Sequence, residues 1–92
     1  MKKIELKFDK LMTSLAGNSY GKQEFVKQIG SIKYDEKYEI IFPDQINLIA
    51  TSFIQGFFSE FVEVIGLEGI VKNITIISSI PNIKEYILDC LN

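Results

Sequence analysis

The sequence contains no histidine, arginine or tryptophan. Without histidine, the commonest general base at neutral pH and the commonest metal ligand are both missing. Without arginine, no planar fork is present to clamp a phosphate or carboxylate at two points. All ten basic residues are lysines, scattered among twelve acidic ones, for a formal charge of −2. A nucleic-acid site calls for a concentrated basic face, so no nucleic-acid partner is expected. Cys90 is the single cysteine, so no internal disulfide forms, and a lone thiol suits a reducing cytoplasm. It lies in an apolar terminal segment and reads as a packing residue rather than a nucleophile. No run of about 18 apolar residues occurs, so no membrane span is expected. Glu5, Lys7, Asp9 and Lys10 interrupt the start of the chain, unlike a secretory leader.

What is present specifies a core. The chain has 92 residues, 47% of them hydrophobic and 24% charged. That reads as one domain over residues 1–92, burying roughly 60–65% of its unfolded surface around one core. Ile4-Glu5-Leu6-Lys7-Phe8 alternates, which predicts a strand with Ile4, Leu6 and Phe8 inward. Leu11 to Leu15 reads as a short second strand before the turn Gly17-Asn18. The spacing predicts a helix from Ser19 to Ile29, capped by Asn18 or Ser19 and ended by Gly30. Phe25, Val26 and Ile29 should face inward, and Lys22, Gln23, Lys27 and Gln28 largely outward. Gly21 suggests close packing of the first turn on the sheet. Ser31 to Lys37 reads as a solvated loop.

Tyr38 to Phe42 reads as a central parallel strand buried on both faces, stopped by Pro43-Asp44. Ile46, Leu48 and Ile49 should run under or beside the sheet. A second helix is predicted from Ser52 to Ile65, with Ser52 and Gln55 as a capping box and Gly66 closing it. Phe53, Phe57, Phe61 and Val64 form one stripe; Ile54, Phe58, Val62 and Ile65 form the next. A stripe this broad packs a neighbouring helix or supplies part of a protein-binding surface. Leu67 to Val71 leads into a third strand, Asn73 to Ile77. Pro81 then opens a last helix with Ile83, Tyr86, Ile87, Cys90 and Leu91 at helical spacing. Alternating strands and helices predict an α/β fold with a largely parallel sheet.

Chemistry-bearing motifs are scarce. Glycines at 17, 21, 30, 56, 66 and 69 match neither dinucleotide nor P-loop spacing, so no cofactor is expected. Ser52 has no histidine for a triad. Asp35-Glu36 lacks the convergent oxygens of a metal site. Glu60 and Glu63 read as a solvated helix face. No catalytic residue, cofactor or metal is expected, and the chain reads as a non-enzyme.

The order of motifs from Gly21-Lys22, through Thr51-Ser52-Phe53, to Pro81-Asn82-Ile83-Lys84-Glu85 resembles the STAS-like domain family. These are small bacterial relatives of the STAS domain of anti-sigma-factor antagonists. The resemblance extends over most of the chain. It implies a mixed, largely parallel sheet with helices mainly on one side. It also implies a non-enzymatic regulatory module that binds a protein partner, such as a signalling kinase or ATPase, around residues 43–58. Asp44, Thr51, Ser52 and Gln55 would then meet the partner, and Ser52 would fall at the family's phosphoacceptor position. Antagonists carry an Asp-Ser-Ser-Gly type sequence where this chain has Ala50-Thr51-Ser52-Phe53. Ser52 is therefore expected to serve as a structural cap, with the phosphate switch lost. Self-association into a homodimer stays open. A second reading is a phage- or element-encoded inhibitor of a host enzyme or defence complex, using the acidic ridge Glu60, Glu63 and Glu68. An arginine-free, Ile-, Lys- and Asn-rich composition leaves room for it.

Overall fold

Two parallel ladders carry the chain. A computed structural model describes residues 1–92. In chain order the elements are β1 (Lys2–Glu5), β2 (Ser14–Leu15), α1 (Asn18–Gln28), β3 (Tyr38–Ile41), β4 (Leu48–Ile49), α2 (Thr51–Phe57), α3 (Ser59–Asn73), β5 (Ile74–Ile77) and α4 (Ile83–Leu91). The larger sheet has the order β1-β3-β5, and β2 pairs with β4 in a separate two-stranded ladder. Every pairing is parallel. The fold is thus α/β with parallel sheets, as the alternation of patterns predicts.

β3 is the central strand, and its neighbours fix what each face carries. Lys2, Tyr38 and Ile74 form one cross-strand row, and Ile4, Ile40 and Ile76 another on the same face. That face leads into the core, where Tyr38, Ile40, Phe42, Leu6 and Ile74 are buried. The opposite face carries the rows Lys3-Glu39-Thr75 and Glu5-Ile41-Ile77. No residue of these two rows is fully buried, and Ile77 is 46% exposed. Parallel sheets normally have both faces covered, but the expected burial of the central strand on both faces is not met. Lys3, Glu5 and Glu39 lie on this face with Ile41 and Ile77, and it stays open. The two crossovers step in one direction across the sheet. Right-handed connections therefore place α1 and α2 on one side, and these two helices make the most extensive helix–helix contact.

That contact depends on two glycines. A Cβ on Gly56 would overlap the carbonyl oxygen of Asn18. One on Gly21 would overlap the carbonyl oxygen of Phe53 and stand 2.7 Å from the amide nitrogen of Phe57. Gly21 thus packs on α2, not on the sheet as its position suggests. Phenylalanine rings fill the space behind. Phe57 lies 5.5 Å from Phe53 in a stack, 6.1 Å edge-on from Phe25 and 6.3 Å from Phe42.

Other local expectations are corrected. The N-cap of α1 is Gly17, with no side-chain cap. Val26 is 68% exposed, while Glu24 is buried. Gln28 is half-buried, not outside. Its Oε1 accepts from the Lys7 amide at 2.6 Å, and its Nε2 donates to the Lys7 carbonyl at 2.8 Å and to Glu24 at 2.7 Å. The predicted helix 52–65 is two helices, separated at Phe58 (φ −94°, ψ 6°). Gly66 (φ 69°, ψ 175°) interrupts α3, as a closing glycine would, but the chain resumes helix from Leu67 to Asn73. The last helix starts at Ile83 behind Asn82, which holds a left-handed φ of 55°.

Candidate functional site

β4 and α4 enclose the largest concave surface, a groove of about 440 Å³. Strand alternation sets one wall: Ile49 turns into the core, so Leu48 turns out and is 62% exposed. Helical spacing sets the other. Ile83 and Ile87 are buried one turn apart, which leaves Glu85, Tyr86 and Asp89 on the groove side. Ile80 and Pro81, in the connection before α4, complete the apolar lining. Asn47 and Asn82 stand at its rim. The Tyr86 hydroxyl donates to the Ile49 carbonyl at 2.7 Å and ties the two walls together.

The groove has negative charge and no lysine among its lining residues. The one ion pair in the molecule is Lys3–Glu5, at 3.8 Å on the open sheet face, so Glu85 and Asp89 are unpaired. Lys84 adjoins Glu85 in sequence, yet its ammonium group donates to the Ile74 carbonyl and, at 2.9 Å, to the Val71 carbonyl. It satisfies carbonyls at the end of α3, where cations are favoured. Burial holds its amine below the usual lysine range. Elsewhere, burial and then the charge of Glu24 raise the Tyr20 hydroxyl above the usual tyrosine range. No group of three or more Cys, Asp and Glu side chains converges in a metal-ligating arrangement.

Beside the groove, the start of α2 brings three of the four sequence-predicted residues together. Thr51 is exposed, with its Oγ1 3.5 Å from the Cys90 sulfur. Gln55 donates through Nε2 to the Cys90 carbonyl at 3.2 Å. Ser52 is half-buried, and its Oγ accepts from the Gly17 amide at 3.0 Å. The capping box does not form: Ala50 is the N-cap of α2, and no side chain caps it. Ser52 instead satisfies an amide at the start of α1, and Gln55 reaches α4. Asp44 is exposed, and its side chain bonds to none of the other three. Its backbone carbonyl accepts from the Ser79 hydroxyl at 3.1 Å.

No family model, curated protein or solved structure matches this chain.

Sequence reasoning missed Leu48 and Tyr86 as surface residues. The sequence pattern places Leu48 under or beside the sheet and Tyr86 in the inner helical stripe, but both are exposed. A signal existed in the Glu85–Asp89 spacing, which puts two carboxylates one turn apart on the face that Tyr86 borders. The acidic ridge does not form one helical line. Glu60 is half-buried beside a smaller depression shared with Lys22, and Gly66 breaks the helix between Glu63 and Glu68. No helix is long and apolar enough to cross a membrane.

Proposed function

We propose that the chain is a non-enzymatic regulatory module that binds a partner protein. Docking would run from residues 43–58 onto the adjoining face of α4. The observation that carries this reading is the β4–α4 groove. Leu48 and Tyr86 are exposed there beside Ile49, Ile80 and Pro81. Grouped apolar side chains rimmed by polar ones are the usual anatomy of a protein-binding patch. Thr51 and Gln55 do not line the groove: both contact Cys90 of α4, and Gln55 lines a separate, smaller depression. The motif order that resembles STAS-like domains supports the regulatory part of the reading, with a kinase, ATPase or other signalling protein as the partner class. The interruption at Gly66 counts against the acidic ridge as the docking surface of an inhibitor, which makes the regulatory module the preferred reading.

The test is affinity capture of tagged protein from a lysate of its own host, read by quantitative mass spectrometry. Wild type is compared with Leu48→Asp. Leu48 is a surface residue, so the variant should fold with an unchanged circular-dichroism spectrum. An enriched protein that disappears with Leu48→Asp is the expected result. A partner retained at full yield, or none above background, overturns the reading.

A further inference from the structure

We infer that the β4–α4 groove takes a lysine- or arginine-bearing segment of the partner protein, with an apolar side chain as its anchor. This rests on the docking reading above and adds the chemistry of what docks. Two observations meet at one place. The lining supplies apolar surface from Leu48, Ile80, Pro81 and Tyr86, open enough to receive a side chain. Its only charged groups are Glu85 and Asp89, both exposed and both without a cation. The nearest lysine in sequence, Lys84, is engaged by the carbonyls of Val71 and Ile74. An incoming cation therefore competes with no internal ion pair. It would gain two carboxylates spaced one helical turn apart, while the anchor covers Leu48. The same charges disfavour a nucleic-acid backbone or an anionic lipid surface, which would bring like charge to the rim.

The test uses the full chain, labelled with ¹⁵N, titrated with three short synthetic peptides. One alternates Leu and Lys, one Leu and Glu, and one Ser and Lys. The Leu/Lys peptide should shift the amides of Leu48, Ile49, Asn82, Tyr86 and Asp89. The double variant Glu85→Gln, Asp89→Asn should raise its Kd about three- to tenfold, as expected for two partly screened rim charges. Added salt should reduce that difference. Equal binding of the Leu/Glu peptide, equal binding of the Ser/Lys peptide, or shifts centred elsewhere would overturn the inference. So would groove shifts that grow with protein concentration alone, since a second copy would then be the occupant. Lysate capture separates the two levels. A partner lost with Leu48→Asp and also with the double variant supports both. One lost with Leu48→Asp but kept by the double variant sinks the basic segment and leaves the docking surface standing. One kept by both variants sinks both.

Discussion

Ser52 shows how much a single side chain's role depends on a residue far away in sequence. Its hydroxyl holds the Gly17 amide at the turn into α1, so it joins two helix starts rather than capping its own. Removing the hydroxyl leaves a part-buried donor without a partner, which costs about 1–2 kcal/mol. Ser52→Ala should lower stability by that amount in urea denaturation, and Thr51→Ala, at an exposed site, by less than about 0.5 kcal/mol. Equal effects would mean that the Gly17 bond contributes nothing. The same geometry bears on phosphorylation. A phosphate on Ser52 would displace the Gly17 contact, whereas Thr51 is open to solvent. Radiolabelling with candidate kinases, wild type against Ser52→Ala, should show no incorporation specific to Ser52.

At the scale of elements, two kinds of glycine divide the chain. Gly56 is required by contact: its missing Cβ makes room for the Asn18 backbone. The neighbour is main chain and cannot rotate away, so Gly56→Ala should cost at least about 1–3 kcal/mol. Gly66 is required by conformation: its φ of 69° and ψ of 175° suit glycine almost alone, while a Cβ there would meet no atom within 4 Å. Gly66→Ala should cost about 1–3 kcal/mol of backbone strain. Crystal structures of both variants would separate the causes, with a displaced α1 in the first and altered dihedrals at the α3 break in the second. The sequence pattern located α1, β3, β5 and α4, because alternation and helical spacing are local properties. It placed the first strand at 4–8 instead of Lys2–Glu5, and it did not predict the strand Leu48–Ile49 or the helical turn after Gly66. It missed the break at Phe58, since the apolar stripe continues through it and no local signal marks the change in direction. It also placed Val26 inward and Gln28 outward. Those errors arise because a helix packed over Gly21 and Glu24 turns a different arc toward the core than its hydrophobic residues alone suggest.

At the scale of the whole molecule, a ring cluster sits at the centre of a 17-residue core otherwise built from leucine and isoleucine. Phe57 touches Phe53, Phe25, Phe42 and Phe58, with centroid distances of 5.1–6.3 Å. A domain of this size has roughly 5–15 kcal/mol in total, and Phe→Ala in a core costs about 3–5. Phe57→Ala should therefore remove a large share of the unfolding free energy, measured by urea denaturation. A loss under about 1 kcal/mol would show that the cluster is not the stabilising centre.

Of the candidate site, the sequence made the α2 end legible and left the groove hidden. Thr51, Ser52 and Gln55 are close in sequence, so local spacing alone brings them to one helix start. Leu48 and Tyr86 are remote in sequence and line one groove, whose walls the Tyr86–Ile49 hydrogen bond ties together. By itself the sequence determined the α/β class and the central position of Tyr38–Ile41; of the residues it placed inward in the first strand, only Leu6 is buried, and it lies past the strand, which ends at Glu5. The class follows from periodicity and the central strand from its unbroken apolar run, both properties of a few neighbouring residues. The tertiary structure alone decided the partner of Ser52, the crossing at Gly21 and Gly56, and the groove with its unpaired Glu85 and Asp89. Those depend on which distant surfaces meet, and close packing settles that only when the whole chain has folded.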